Sequence, residues 1–83
     1  MKPITLKEAL SIYVKAVLID GWAPQLYLKD GDDHYHSVSE IDLVRNRMVC
    51  DDTYWDYYNS ILQAEDDKDY RLFIEVNDYE RMD

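Results

Sequence analysis

The sequence predicts a small single α+β domain over residues 1–83, with an N-terminal helix, an antiparallel sheet that includes a β-hairpin, and helices packed on one face of the sheet. Apolar residues recur at helical spacing near the N-terminus, an Asp-Gly pair stands between two short strand-like runs, and a late segment alternates apolar with polar residues. The core is expected to be thin, because a chain of this length buries only about 60% of the surface that it exposes when unfolded.

The first predicted element is a helix over residues 6–19. Thr5 precedes Glu8 by three residues, which is the spacing of a capping box, in which each residue's side chain binds the other's backbone N–H. Gly21 follows the last turn, where a left-handed residue commonly ends a helix. Helical periodicity assigns to the apolar face Leu6, Ala9, Leu10, Tyr13, Val14, Val17 and Leu18.

A β-hairpin is predicted around the pair Asp30-Gly31, because both central residues of a type I′ turn need positive φ. Its strands are placed near residues 25–29 and 33–38. Side chains alternate between the two faces of a strand, so the prediction puts Leu26, Leu28 and Tyr35 on one face and His34 and His36 on the other.

Two further helices are indicated in the middle of the chain. In residues 39–49, SEIDLVRNRMV, Ser39 is a possible cap and the arginines come late, as the helix dipole prefers; a third strand is the alternative interpretation. Thr53 and Asp56 repeat the capping-box spacing and introduce the second of these helices. Its predicted apolar stripe consists of Tyr54, Tyr58, Ile61 and Leu62.

The segment YRLFIEV, residues 70–76, has the alternation of a strand with one buried face. The buried side chains are predicted to be those of Tyr70, Leu72, Ile74 and Val76, with Arg71, Phe73 and Glu75 on the opposite face.

Charge is distributed unevenly along the chain. The formal net charge is −9, yet residues 1–29 carry +2 and residues 30–83 carry −11. Such a field repels nucleic acid and anionic membranes, and it attracts basic surfaces. The alternative explanation is that the acids only keep a small protein in solution.

Residue types that support catalysis or cofactor binding are few. Two glycines do not supply a phosphate-binding loop of the P-loop or Rossmann kind, and Cys50 is followed by two aspartates, which oppose thiolate formation. Residues 30–41 fail the spacing of a calcium-binding loop, and His34 and His36 with Asp32 fall short of a zinc ligand set. The sequence therefore predicts a protein that is not an enzyme and takes neither metal nor cofactor.

The segment 51–69, DDTYWDYYNSILQAEDDKD, is both acidic and aromatic. Trp55 and Tyr57 are expected on the flank of the predicted helix, where they could contact a partner, since interfaces favour Trp and Tyr. The core is expected to contain Tyr13, Tyr54 and Tyr70. The predicted partner-binding set joins the two flanking aromatics to ten acids: Asp30, Asp32, Asp33, Asp51, Asp52, Asp56, Glu65, Asp66, Asp67 and Asp69.

A rigid array of carboxylates imitates the charges along a phosphate backbone, and carboxylates accept bidentate contacts from arginine. The sequence thus supports the hypothesis of an acidic protein that inhibits a basic nucleic-acid-binding protein by occupying its nucleic-acid site. The partner would be a protein, with no direct contact to nucleic acid or membrane, and the chain itself a monomer or homodimer.

In size, charge and aromatic content the chain resembles the small acidic phage-borne inhibitors, the anti-restriction and anti-CRISPR proteins, several of which mimic nucleic acid. The resemblance is one of general character over the whole chain, without a shared motif, and it implies an anti-defence inhibitor or DNA mimic. Two alternatives stay open: an antitoxin or immunity protein that neutralises a basic toxin, and a structural or regulatory subunit.

The cytoplasm is the expected location, which would be that of the host cell for a phage-encoded protein. Apolar runs fall short of the about 18 residues that a membrane span requires, and the first residues lack a signal-peptide pattern. A single cysteine, Cys50, fits a reducing compartment.

Overall fold

A six-stranded antiparallel sheet organises residues 1–57 and 71–82, which are the residues that the computed structural model describes. The sheet has the strand order β1-β6-β2-β3-β4-β5. The predicted α+β class is confirmed. The elements in chain order are β1 (Lys2–Ile4), α1 (Leu6–Tyr13), a π-helix (Val14–Ile19), β2 (Leu26–Lys29), β3 (Tyr35–Asp42), β4 (Arg47–Cys50), β5 (Thr53–Asp56), β6 (Arg71–Ile74) and α2 (Val76–Arg81).

The core lies against one face of this sheet and includes the buried side of α1. The largest side chains that are almost fully buried are Leu28, Met48, Leu72, Ile74 and Cys50, all from the sheet. Neither α1, with its π-helical continuation, nor α2 has the length and apolar character that a bilayer crossing would need.

The predicted capping box of α1 is confirmed. The Glu8 N–H donates to Thr5 Oγ1 at 3.1 Å, and the Thr5 N–H donates to Glu8 Oε1 at 3.2 Å, so two N–H groups that the first turn leaves unpaired are satisfied. Gly21 follows the helical segment with φ of 76°, as predicted for a left-handed stop.

The apolar face predicted for the helix is partly wrong, because the second half of the helix is a π-helix. In a π-helix the N–H bonds the carbonyl five residues back, as Asp20 does to Lys15 at 2.9 Å, and this shifts side chains away from α-helical periodicity. Val14 and Leu18 are 37% and 62% exposed. Leu6 and Ala9 are buried as predicted, and the other buried positions are those of Ile12 in α1 and Ala16 in the π-helix.

The predicted hairpin forms, but its turn and register differ from the prediction. The Asp30 N–H donates to the His34 carbonyl at 2.9 Å, so the loop has three residues, and the left-handed residue is Asp33 with φ of 63°. Gly31 does not have positive φ. One extra loop residue shifts the register and exchanges the two faces of β3.

As a result, Leu28 pairs with His36, and Lys29 pairs with Tyr35. Tyr35 therefore lies on the face opposite the core and is 47% exposed, whereas the prediction had placed it on the same face as Leu26 and Leu28. His36 takes the position on the core side.

Residues 39–49 form strands rather than a helix, so the alternative interpretation of this segment was correct. β3 continues to Asp42, and β4 begins at Arg47 after a turn. The Asp42 carboxylate accepts hydrogen bonds from the Val44 and Arg45 N–H groups at 3.1 and 3.0 Å, which fixes the turn. Asp42, the last residue of β3, thus holds the turn with its side chain.

The helix predicted to begin at Thr53 is wrong over Thr53–Asp56, which form β5. Asp51 and Asp52 have φ of 49° and 66°, and Cys50 pairs with Thr53, so these two acids are the central residues of a two-residue hairpin of type I′. Tyr54, predicted to lie in the core, is 62% exposed. The remaining residues of that prediction, Tyr58, Ile61 and Leu62, lie outside the described residues.

The last strand is confirmed over Arg71–Ile74, and Leu72 and Ile74 are buried as predicted. Val76 begins α2 and is 43% exposed, so the predicted buried face ends at Ile74. Tyr70 lies outside the described residues.

The left-handed conformation of Asp52 generates the first prediction. Replacing Asp52 by glycine should raise the free energy of unfolding by about 0.5–1 kcal/mol, because glycine adopts positive φ without the cost of a Cβ. Asp52→Asn removes the same charge and keeps the Cβ, so it separates conformation from charge. Chemical denaturation of the two variants measures the difference, and equal stabilities would contradict a conformational origin.

Candidate functional site

The sheet brings two acidic turns to one end of the molecule. The β2–β3 turn carries Asp30, Asp32 and Asp33, and the β4–β5 turn carries Asp51 and Asp52. Because β2, β3, β4 and β5 are consecutive antiparallel neighbours, both turns lie at the same end of the sheet. These five aspartates are called the acidic end below.

His36 joins the two turns. Its Nε2 lies 2.7 Å from Asp30 Oδ2, and its Nδ1 lies 3.0 Å from Asp51 Oδ2. Only the protonated imidazolium donates from both nitrogens, so this arrangement favours the charged ring. The hydrogen bond to Asp30, reinforced by that to Asp51, raises the pKa of His36 above its usual value of 6.5.

Asp30 has a structural role within the acidic end. Its Oδ1 accepts hydrogen bonds from the Asp32 N–H at 2.8 Å and from the His34 N–H at 3.0 Å, while its Oδ2 contacts His36. The hydrogen bond from His36, together with that from the His34 N–H, lowers the pKa of Asp30 to about 2. Only 16% of the Asp30 side chain is exposed, and these hydrogen bonds hold the turn together, while its contact with a partner stays a prediction.

The other carboxylates of the acidic end are more open. Asp33 is 82% exposed and pairs with Lys29 at 2.9 Å, and the Asp51 side chain is 52% exposed. Asp32 and Asp52 are exposed, and in the part of the chain that the structure describes their side chains form no ion pair. Lys29 and the His36 imidazolium offset part of the negative charge here.

Asp56, also assigned to the partner-binding set, lies apart from the acidic end. It stands opposite Arg47 at the far end of β5, so the strand separates it from Asp51 and Asp52. Glu65, Asp66, Asp67 and Asp69 lie outside the described residues, and the predicted ridge that would contain them stays a prediction.

The two aromatics of the predicted set do not form an exposed flank. Tyr57 is only 3% exposed, and its hydroxyl donates to Asn46 Oδ1 at 3.1 Å, so it does not lie on the exposed flank that was predicted, and its role in partner contact stays a prediction. Trp55 is half-buried against the core, with its ring centroid 5.5 Å from that of His36. The position of Trp55 follows from β5 being a strand, because Trp55 shares the core face with its cross-strand partner Met48.

A second surface was not singled out from the sequence. Tyr27, Tyr35 and Phe73 form a cluster on the sheet face opposite the core, with the Tyr35 ring centroid 6.4 Å from Tyr27 and 5.4 Å from Phe73. The sequence contains a signal for this cluster in the alternation of its strands. Tyr27 stands between two buried residues of β2, and Phe73 stands between two buried residues of β6.

The Cys50 thiol lies in surroundings that oppose its deprotonation. Burial, with the nearby Asp51 charge, raises the pKa of the Cys50 thiol to about 12, so it stays protonated at neutral pH. Within residues 1–57 and 71–82, no group of three or more His, Cys, Asp or Glu side chains is arranged to hold a metal ion.

Comparison with known proteins gives no relative. No protein-family model matches the chain, and neither the curated proteins nor the solved structures contain a match. The functional interpretation therefore rests on the geometry and charge described above.

The His36 link generates a prediction on pH dependence. The folded state raises the pKa of His36, so the stabilisation is present below the usual value of 6.5 and is lost as pH rises through the raised pKa. The stabilisation from Asp30 is present above pH 3.8, the usual pKa of an aspartate, and is lost as the pH falls towards its lowered pKa of about 2. The link should therefore stabilise the fold most between about pH 4 and 6.5.

Replacing His36 by glutamine should lower the free energy of unfolding at pH 6 by about 1–2 kcal/mol. In the variant, the free energy of unfolding should no longer fall as the pH rises through the raised pKa of His36. His34→Gln is the matched control, because the His34 side chain is 75% exposed and its Nδ1 lies 4.0 Å from Asp30. Denaturation curves across about pH 5–9 test this. Parallel pH profiles for wild type and His36→Gln would contradict the link.

Proposed function

We propose that this protein is an acidic inhibitor that binds a basic nucleic-acid-binding protein and occupies its nucleic-acid site. The observation that carries the proposal is the acidic end, where His36 joins two turns that together carry five carboxylates, through its contacts with Asp30 and Asp51. The formal net charge of −9 adds a long-range attraction to basic surfaces.

The preorganisation of the acidic end supports this role. Asp33, Asp51 and Asp52 all have positive φ, so their positions are set by short, defined turns rather than by a long loop. A partner that spreads arginines and lysines to contact phosphates would meet carboxylates whose placement costs little conformational entropy on binding. Carboxylates also accept bidentate arginine contacts, which gives the mimicry a geometric component.

Local cations limit what the acidic end can contribute alone. Lys29 and protonated His36 stand among the five carboxylates, so a large share of the attraction must come from the net charge of the chain. We therefore assign the acidic end the role of orienting the partner and the overall field the role of accelerating encounter. We further propose that the protein acts in the cytoplasm as an anti-defence inhibitor of the anti-restriction or anti-CRISPR class.

Affinity capture from a bacterial lysate, followed by competition with DNA or RNA for the recovered partner, tests this function. The expected partner is a basic protein that loses its nucleic acid when this chain binds. A partner bound together with its nucleic acid would contradict the mimic mechanism. A basic partner with no nucleic-acid site would favour the role of an antitoxin or immunity protein.

Removing the exposed carboxylates of the acidic end should slow association with that partner. For the triple variant Asp32→Asn, Asp33→Asn and Asp52→Asn, we expect an association rate about three- to tenfold lower at low salt, with a weaker salt dependence. Asp30 and Asp51 stay unchanged because they bind His36. Stopped-flow or surface plasmon resonance measures the rates.

The control variant removes the same charge elsewhere on the surface, at Asp20, Glu40 and Glu80, which are exposed. If net charge alone sets the rate, both triple variants slow association equally, and the acidic end has no specific role. Unchanged rates in both variants, without salt dependence, would leave the acids as a solubilising surface.

A further inference from the structure

The sheet face opposite the core presents a half-exposed aromatic side chain beside the acidic end. Tyr35 begins β3 immediately after the β2–β3 turn, pairs with Lys29, and is 47% exposed. Phe73 and Tyr27 contact its ring in edge-to-face geometry at centroid distances of 5.4 and 6.4 Å. A large aromatic side chain is thus held in one orientation while almost half of its surface meets solvent.

Such a side chain has the properties of an interface anchor. Interfaces concentrate binding energy in a few Tyr, Trp and Arg residues near their centre, surrounded by a charged rim. Because Phe73 and Tyr27 already restrict the Tyr35 ring, little rotamer entropy would be lost on binding. Asp33, two residues before Tyr35 and 82% exposed at its side chain, supplies a carboxylate for the rim.

An aromatic ring beside carboxylates favours arginine as the side chain that this surface would bind. Two arginines make this contact within residues 1–57 and 71–82, with Arg47 Cζ 4.1 Å from the centroid of the Tyr54 ring and Arg81 Cζ 4.2 Å from that of the Trp22 ring. A guanidinium can stack on an aromatic ring and still donate in its plane to a carboxylate, whereas the lysine ammonium is a point charge. Lys29, the cation nearest to Tyr35 in the sheet, is already paired with Asp33.

We propose that Tyr35, with Asp32 and Asp33, forms a docking site for an arginine side chain of a basic partner protein. The inference rests on the proposed function. It places the centre of the interface with the basic partner on the outer sheet face, with the acidic end as its rim. It also replaces Trp55 and Tyr57, which are half-buried and buried, as the aromatic contribution to binding.

The test uses two probes of equal length and charge, an oligoarginine and an oligolysine peptide, titrated into the full chain at fixed ionic strength. Wild type should bind oligoarginine about three- to tenfold more tightly than oligolysine, the size expected for one cation–π contact joined to a carboxylate. Tyr35→Ala should weaken oligoarginine binding to the oligolysine level. Tyr35→Phe keeps the ring and should retain the preference.

Tyr54→Ala is the matched control, because Tyr54 is also on the outer face and is 62% exposed. It follows the β4–β5 turn rather than the turn that carries Asp32 and Asp33, and Arg47 already stacks on its ring. This variant should leave the preference for oligoarginine unchanged. Circular dichroism and thermal unfolding establish that each variant is folded. If Tyr35→Ala does not fold, the double variant Asp32→Asn and Asp33→Asn provides the test instead. It must then remove the preference for oligoarginine over oligolysine.

Each alternative outcome has a distinct meaning. Equal binding of the two peptides by wild type, or a preference that survives Tyr35→Ala, would overturn the arginine site while leaving the electrostatic function standing. Failure of both peptides to bind at low salt would overturn both proposals. Dimerisation that Tyr35→Ala abolishes, measured by light scattering, would assign this surface to a second copy of the chain and would also overturn the arginine site.

Discussion

The acidic end depends on one cationic ring placed between two carboxylates. Asp30 and Asp51 come from separate hairpin turns, and without a positive group between them their charges would push these turns apart. His36 lies 2.7 Å from one carboxylate and 3.0 Å from the other, and it is on the core side of β3 because it pairs with Leu28. The register of a single hairpin thus sets both the burial of the sheet and the connection between its acidic turns.

Part of the acidic composition serves turn geometry. The chain has two glycines, so other residues must supply positive φ, and Asp33, Asn46, Asp51 and Asp52 do so. Asp30 and Asp42 instead accept backbone N–H groups inside their turns. The concentration of acids at the acidic end therefore has a structural cause as well as the proposed functional one. Asp32 neither has positive φ nor accepts a backbone N–H in its turn, so its contribution to binding can be measured most directly.

The sequence predicted those elements whose signals are local. The capping box at Thr5 and Glu8, the left-handed Gly21, the existence of the hairpin and the alternation around Leu72 all depend on residues close together in the chain. The errors arose where a single residue decides between helix and strand, or between two pairing registers of a hairpin. A three-residue loop in place of a two-residue loop exchanged the positions of Tyr35 and His36, and the strand at Thr53 resembled a capped helix because Thr and Asp suit both contexts. The link from Asp30 to His36 and Asp51 could not be predicted, since it needs the strand order.

The same register relates the two proposed binding features to each other. Successive residues of β3 point to opposite faces, and the three-residue loop sets which residue lies on which face. His36 therefore joins the acidic turns from the core side, while Tyr35 presents its ring on the outer side. Asp33 belongs to the acidic end and, two residues before Tyr35, also to the proposed arginine site. A partner that covers Tyr35 would therefore lie beside carboxylates whose spacing His36 has already set, and the rigidity of this one strand end would serve orientation and affinity together.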